Sequence, residues 1–365
     1  MVAARKMKNC IYNKSYCKHF VIGDYSLVIK EIPDCLVTAS FPAKVINTYD
    51  FMKEEWVKVK YYSMDFDSNN KTLRPIYDKL DSLIDKGYNL SYVFKDIIFR
   101  GCNQFDRDYR GVPYWVRDAG NTAECGWTKE EFETYVRNYE NYEIVHRWLY
   151  YYDCKMLVCA LCDRFKMIAS MLRVFYNHFP SESPCKMEDF KHATVTVSPQ
   201  DTICFACVNS IFLYLASSFD ILSKIYVELR DYEKLDFSKY PKMVSRKVLL
   251  GSIVKTTSDI TGIFEKPSCV NTIVNIRNRL VHDGSFDFMQ MVYDCYDGPN
   301  GHSEGTILFP DMENGLFVTS KNRKNFYSQS NRLNLRLPGL LTDVFDVMET
   351  IINKLSIIGK KEYER

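Results

Sequence analysis

The chain lacks several things, and each absence narrows what it can be. It has almost no surplus charge: 48 Lys and Arg stand against 46 Asp and Glu, a formal +2. A wholesale polycation is excluded, so any nucleic-acid contact has to come from a local patch. The opening stretch MVAARKMKNCIYNKSYCKHF carries basic residues but no apolar run of signal-peptide length, so secretion is not expected. The 13 cysteines form no spaced framework and lie mostly within apolar runs. That is the usage of reduced thiols serving as small hydrophobes in a cytoplasm. There is no internal repeat, low-complexity tract, Gly-rich phosphate loop, serine elbow or HExxH zinc motif.

What is present is bulky and apolar. Hydrophobic residues make up 46% and aromatics 15%, with 26 Tyr and 23 Phe, ample for a real core and against extensive disorder. Residues 10–62 look β-rich, with short strands predicted around a Gly23-Asp24 turn. From about residue 73 the period lengthens, and two helices separated near Gly87 are expected. Residues 101–127 are polar and Gly-rich, the pattern of a long surface loop or linker.

Thr128 with Glu131 forms a capping-box signal, opening a helical stretch that contains a break and runs to Phe179, where Pro180 and Pro184 stop it. Ser198-Pro199-Gln200-Asp201 starts another helix, expected to reach about Tyr232. A shorter helix is predicted after Pro241, one more from Pro267-Ser268 to Gly284, and a last one from about Leu340 to Ile358. TILFPDMENGLFVTS reads as a hairpin turning at Asn314-Gly315. The expected architecture is therefore mainly α. Residues 1–126 would be a mixed N-terminal region, β-rich and then helical. Residues 127–365 would be a helical bundle with an insertion at about 284–337.

TICFACVNSIFLYLASSF, residues 202–219, contains no charge and is close to the roughly 20 residues that span a bilayer. Asn209, Ser210, Ser217 and Ser218 interrupt it and Asp201 and Asp220 bracket it. Such interruptions are costly in lipid, so a buried central helix without a membrane role is the expectation.

The most specific stretch is NIRNRLVHDGSF, residues 275–286. At roughly 100° per residue, Val270, Ile273, Val274, Leu280 and Val281 share an arc and Arg277 falls in its middle. A guanidinium there costs several kcal/mol unless it is paired or faces a polar cleft. Asn278 and His282 stack on a neighbouring face four residues apart. Arg277 and His282 diverge by more than a right angle, so they meet only through a long side chain and a loosened helix end, or across two subunits. His282 stands at the helix C-terminus beside Asp283. Both the helix dipole and that carboxylate would favour its imidazolium. An imidazole handling the 2′-OH proton and a guanidinium offsetting phosphorane charge can cut RNA without a metal. The same pair could equally cap carbonyls and neutralise an acid.

RNRLVH resembles the R-N-x-x-x-H signature of the HEPN superfamily, over a stretch of roughly residues 129–360. The resemblance implies a HEPN-like bundle and a metal-independent endoribonuclease needing no cofactor. It would act on RNA as a homodimer with a composite active site, and Arg277, Asn278 and His282 would form the catalytic set. It also implies a toxin or antiviral-defence role in the cytoplasm under an inhibitory or activating protein partner. An acid from an earlier helix sometimes joins such sites, and Asp220 is the candidate, with a salt-bridged residue at a helix bend as the equal alternative. A HEPN module that binds RNA or a protein without cutting is the rival reading.

Two further constellations remain. Cys159 with Cys162 and Cys204 with Cys207 tempt a zinc reading, yet both pairs lie on apolar helical runs without knuckle residues. Core contacts are the expectation, and no metal is assigned. Residues 314–342 contain no acid but carry Lys321, Arg323, Lys324, Arg332 and Arg336, with Phe326 and Tyr327 between them. That mixture suits a single-stranded RNA path, or simply a solvated loop.

Overall fold

The computed structural model describes residues 21–22, 36–39, 44–50, 55–58, 73–108, 111–179, 193–196, 199–253, 263–287, 290–297 and 302–364. Two compact units divide the chain, Met1–Tyr62 and Ser63–Arg365. In the first, β1 (Val21–Ile22) runs parallel to β2 (Leu36–Ala39). From there β3 (Lys44–Asp50) and β4 (Glu55–Lys58) continue the sheet antiparallel in the order β1-β2-β3-β4. The expected Gly23-Asp24 turn lies outside the described residues.

The second unit is mainly helical. Its first helix, α1 (Arg74–Ile98), is continuous, which corrects the expected break at Gly87. Ile76, Leu80, Leu83, Gly87, Leu90, Phe94 and Ile97 form one buried stripe at three- and four-residue spacing. Gly87 is part of that stripe because α5 (Glu143–His178) crosses closely there: a Cβ would lie 2.9 Å from Cys162 Sγ. The other flank of α1 packs on α9 (Leu333–Glu364), where Glu349 receives both Lys79 and Lys86. These contacts also move the boundary. The division falls after Tyr62 rather than near residue 126, because α1 belongs to the bundle.

The 101–127 stretch is not a free linker. It holds two short helices, α2 (Gln104–Asp108) and α3 (Tyr114–Asp118), buries Val116 and Asp118, and accepts a hydrogen bond from Trp148 Nε1 at Asp106 O, 3.0 Å. Next, α4 (Lys129–Asn138) opens with both halves of the Thr128–Glu131 capping box, and residues 139–142 supply the expected break before α5.

The uncharged run forms the middle of α6 (Pro199–Arg230), which packs on α5, on α8 (Ser268–His282) and on α9. It is long and apolar enough to cross a membrane. Its placement is nonetheless that of a core helix: Cys204, Val208, Ile211, Phe212, Leu215 and Phe219 are fully buried. Ser210 and Ser218 satisfy their hydroxyls on the carbonyls of Ala206 and Tyr214, four residues back. After α6 the chain turns through residues 232–234 and 244–247, and only α7 (Leu250–Ile253) remains of the longer helix expected there.

The insertion contains more sheet than one hairpin. An antiparallel sheet of order β5-β6-β7 joins β5 (Ala193–Thr196), β6 (Val292–Asp297) and β7 (His302–Thr306). The Asn314-Gly315 hairpin follows as β8 (Met312–Glu313) and β9 (Leu316–Phe317), with both turn residues at positive φ. Helix α9 begins at Leu333, ahead of the expected start, and tolerates Pro338 inside it. The proline ring removes the donor that Asn334 O would have received, and the Tyr176 hydroxyl donates to that carbonyl instead at 3.4 Å.

Candidate functional site

Helix α8 starts after Pro267 and stops where Asp283 N donates to Arg279 O at 2.8 Å and Gly284 turns with φ +82°. Its first half is held hard. Val270, Thr272, Ile273 and Ile276 are buried, and the hairpin clasps the outer side. Gly315 approaches so closely that a Cβ would lie 2.5 Å from Ser268 O, and Asn275 Nδ2 donates to Gly315 O at 2.8 Å. The clasp reaches the second half through Arg279, whose guanidinium lies 4.9 Å from the Phe317 ring centre and pairs with Asp283 at 2.5 Å.

The second half emerges from the bundle. Arg277 takes one of the two arrangements its place on the stripe allows, facing a polar cleft: it is half-exposed at the cleft wall, and Val281 is 55% exposed. The stripe runs out of bundle to be buried in, so the expected cost of a core guanidinium does not arise. The cleft, about 360 Å³, lies between α6, α7 and α8. Asp220, Lys247, Lys266, Val274, Arg277 and Asn278 line it.

The structure thus brings together three of the four expected catalytic residues and adds two lysines that sequence reasoning missed. Arg277 Nη1 donates to Asn278 Oδ1 at 3.0 Å. Among the described residues no carboxylate pairs with the guanidinium, so its charge stays available. Asp220 Oδ1 accepts the amide of Leu250 at 2.9 Å, which fixes the carboxylate at the start of α7. Three cations against one carboxylate leave the cleft positive, suited to a phosphate. Lys247 and Lys266 sit in irregular segments, Lys247 within the stretch expected to be helical. Lys266 is held at φ +51° immediately before Pro267.

His282 does not line this cleft. It is exposed at the end of α8, about 140° around the helix from Arg277 at ~100° per residue. Asp283, expected to favour its imidazolium, is committed to Arg279, whose guanidinium holds that carboxyl below the ordinary carboxylate range. Within one chain the Arg and the His are therefore separate. Between them around the helix lie Val274 and Asn278, both half-buried, and the exposed Val281.

The basic segment divides in two. Lys321, Arg323, Lys324 and Phe326 are exposed, and Lys324 lies near enough to Asp283 to act on its charge. Arg336 is exposed as well, Arg332 and Tyr327 are half-buried, and all three make contacts of their own. The Tyr327 hydroxyl donates to Phe286 O at 3.0 Å, Arg332 Nε to Gln329 O at 3.4 Å, and Arg336 spans the Phe309 ring and Asn331 Oδ1. Of the cysteines, Cys162, Cys204 and Cys207 are buried, and burial pushes the Cys162 and Cys204 thiols up to about 12. Among the described residues no three His, Cys, Asp or Glu side chains are placed to share a metal ion. Comparison with protein-family models, curated proteins and solved structures gives no match.

Proposed function

We propose that the exposed face of α8 is the working surface of a metal-independent endoribonuclease of the HEPN type, assembled by two copies of the chain. The observation that carries this reading is the unneutralised Arg277 guanidinium beside Asn278 in a positive cleft, on the same end of α8 as the exposed His282. His282 stands five positions after Arg277, a rise of about 7.5 Å. Two antiparallel α8 helices crossing between these positions would bring each arginine level with the partner chain's histidine, and Val281 would supply apolar contact between them. His282 would take the 2′-OH proton, and the 2′-oxygen would attack the adjacent phosphorus. The bond to the 5′-oxygen would break, leaving a 2′,3′-cyclic phosphate and, once that oxygen is protonated, a 5′-OH. Arg277 would offset the charge on the phosphorane, and Lys247 and Lys266 would hold flanking phosphates. Such an enzyme acts in the cytoplasm and requires restraint by a partner, in keeping with a defence or growth-arrest role.

The test is cleavage of end-labelled RNA in EDTA by the full chain, by Arg277→Ala and by His282→Ala. Each substitution is expected to lower the rate by at least about a hundredfold. Mixing the two inactive variants should restore part of the activity, because one of the two sites in a mixed dimer is intact. Cleavage that survives both substitutions rejects the site, and failure of the mixture to recover rejects the composite arrangement. The 140° separation within one chain favours a second reading, a HEPN module that binds RNA or a protein without cutting it. That module would bind RNA through the same cations and show no cleavage in any mixture.

A further inference from the structure

A second cleft in the helical unit, of about 320 Å³, has a single acidic side chain, Asp153, in its wall, with Arg117 and Lys129 beside it. It opens between α3, the segment at Trp127, α4 and α5, with Trp127, Phe132 and Tyr240 as aromatic walls and Asp153 of α5 facing it. The Asp153 carboxylate accepts from the Tyr240 hydroxyl and from Asn121. Deeper in, Glu228 is 1% exposed and accepts from the Tyr150 hydroxyl and from Ser245 N at 2.8 Å. Among the described residues neither carboxyl has a Lys, Arg or His as ion-pair partner. The two cations of the lining have partners of their own: Arg117 pairs with Asp118 at 2.7 Å and lies 5.3 Å from the Tyr152 ring centre, and the exposed Lys129 pairs with Glu133 at 3.5 Å.

We propose that this cleft binds a small organic cation, an ammonium or guanidinium group whose charge rests against Asp153 and whose carbon skeleton lies on Trp127, Phe132 and Tyr240. Carboxylate and ring faces attract the same sign of charge, and an aromatic wall is worth most to a cation in a partly desolvated site. A neutral nucleobase would leave the carboxyl uncompensated, and a phosphate would meet it with like charge. Burial, with Glu228 behind it, pushes the Asp153 carboxyl above its ordinary range. A bound cation would reverse that push. This inference is independent of the ribonuclease reading.

Calorimetric titration of the full chain with n-butylguanidinium and with its neutral isostere n-butylurea tests it. The guanidinium is expected to bind one to one and at least about tenfold more tightly than the urea, and Asp153→Asn should abolish that preference. Trp127→Leu, which removes one aromatic wall and its ring contact with Tyr135, should weaken guanidinium binding about threefold while the protein stays folded by circular dichroism. This variant carries the test if Asp153→Asn proves unfolded by circular dichroism. Equal affinity for both probes, unchanged binding by the folded Asp153→Asn protein, or no binding of the guanidinium at millimolar concentration would overturn the proposal. So would tighter binding of guanosine monophosphate than of the cation.

Discussion

The two halves of α8 share one helix and one hydrophobic stripe, yet they do opposite work. From Ser268 to Ile276 the helix is anchored on both sides, by α6 and α9 within and by the Gly315 hairpin without. From Arg277 to His282 it is less covered: Val281 and His282 are exposed and Arg277 faces the cleft, while Leu280 still packs on the core and Arg279 on the hairpin. A rigid base under an exposed tip keeps the positions of Arg277 and Asn278 precise while leaving room for a ligand, because side chains placed on packed elements lose little freedom on binding. The arginine is thus tolerated on the stripe because the stripe outlasts the core.

The contrast can be broken or sharpened by substitution. The largest loss of stability is expected from Ile273→Ala, about 2–5 kcal/mol by chemical denaturation, since it removes a buried branched side chain from the anchored half. A neutral result would mean that this half is not anchored at all. Next comes Gly315→Ala. The new methyl meets the backbone of α8 from a position with positive φ, so a loss of about 1–3 kcal/mol and faster proteolysis in the hairpin are expected. Were this variant as stable as the parent, the clasp would be ornamental. The smallest changes belong to the exposed half: Arg277→Ala and His282→Ala should stay within about 0.5 kcal/mol of the parent. A drop of several kcal/mol for Arg277→Ala would make the guanidinium a structural strut and remove it from the site.

Local signals were legible. The Thr128–Glu131 capping box, Pro199 at the head of α6, the start of α8 after Pro267 and the Asn314-Gly315 turn all lie where their residue types place them. Each is settled by neighbours within a few positions. Gly87 misled because a glycine that breaks a helix and one that admits a crossing helix look alike without the partner. Residues 242–249 carry a helical pattern but lie in turns, since Ser245 N is drawn to Glu228 and Leu250 N to Asp220. The β5-β6-β7 sheet escaped notice because β5 lies far along the chain from the strand it joins. The candidate site was half legible: Arg277, Asn278 and Asp220 share a cleft, whereas Lys247 and Lys266 reach it from segments that no local signal assigns to it, and His282 stands apart.

The residue order by itself determined the caps, the turns, the angular position of every side chain on α8 and the near-neutral charge, because these depend on bonded geometry and close neighbours. Only the tertiary structure decided depth. It placed Arg277 at a cleft, gathered Lys247 and Lys266 beside it, and set Asp153 beside aromatic walls in another. Depth depends on which distant segments cover a helix and where they stop covering it, and no period along the chain encodes that limit.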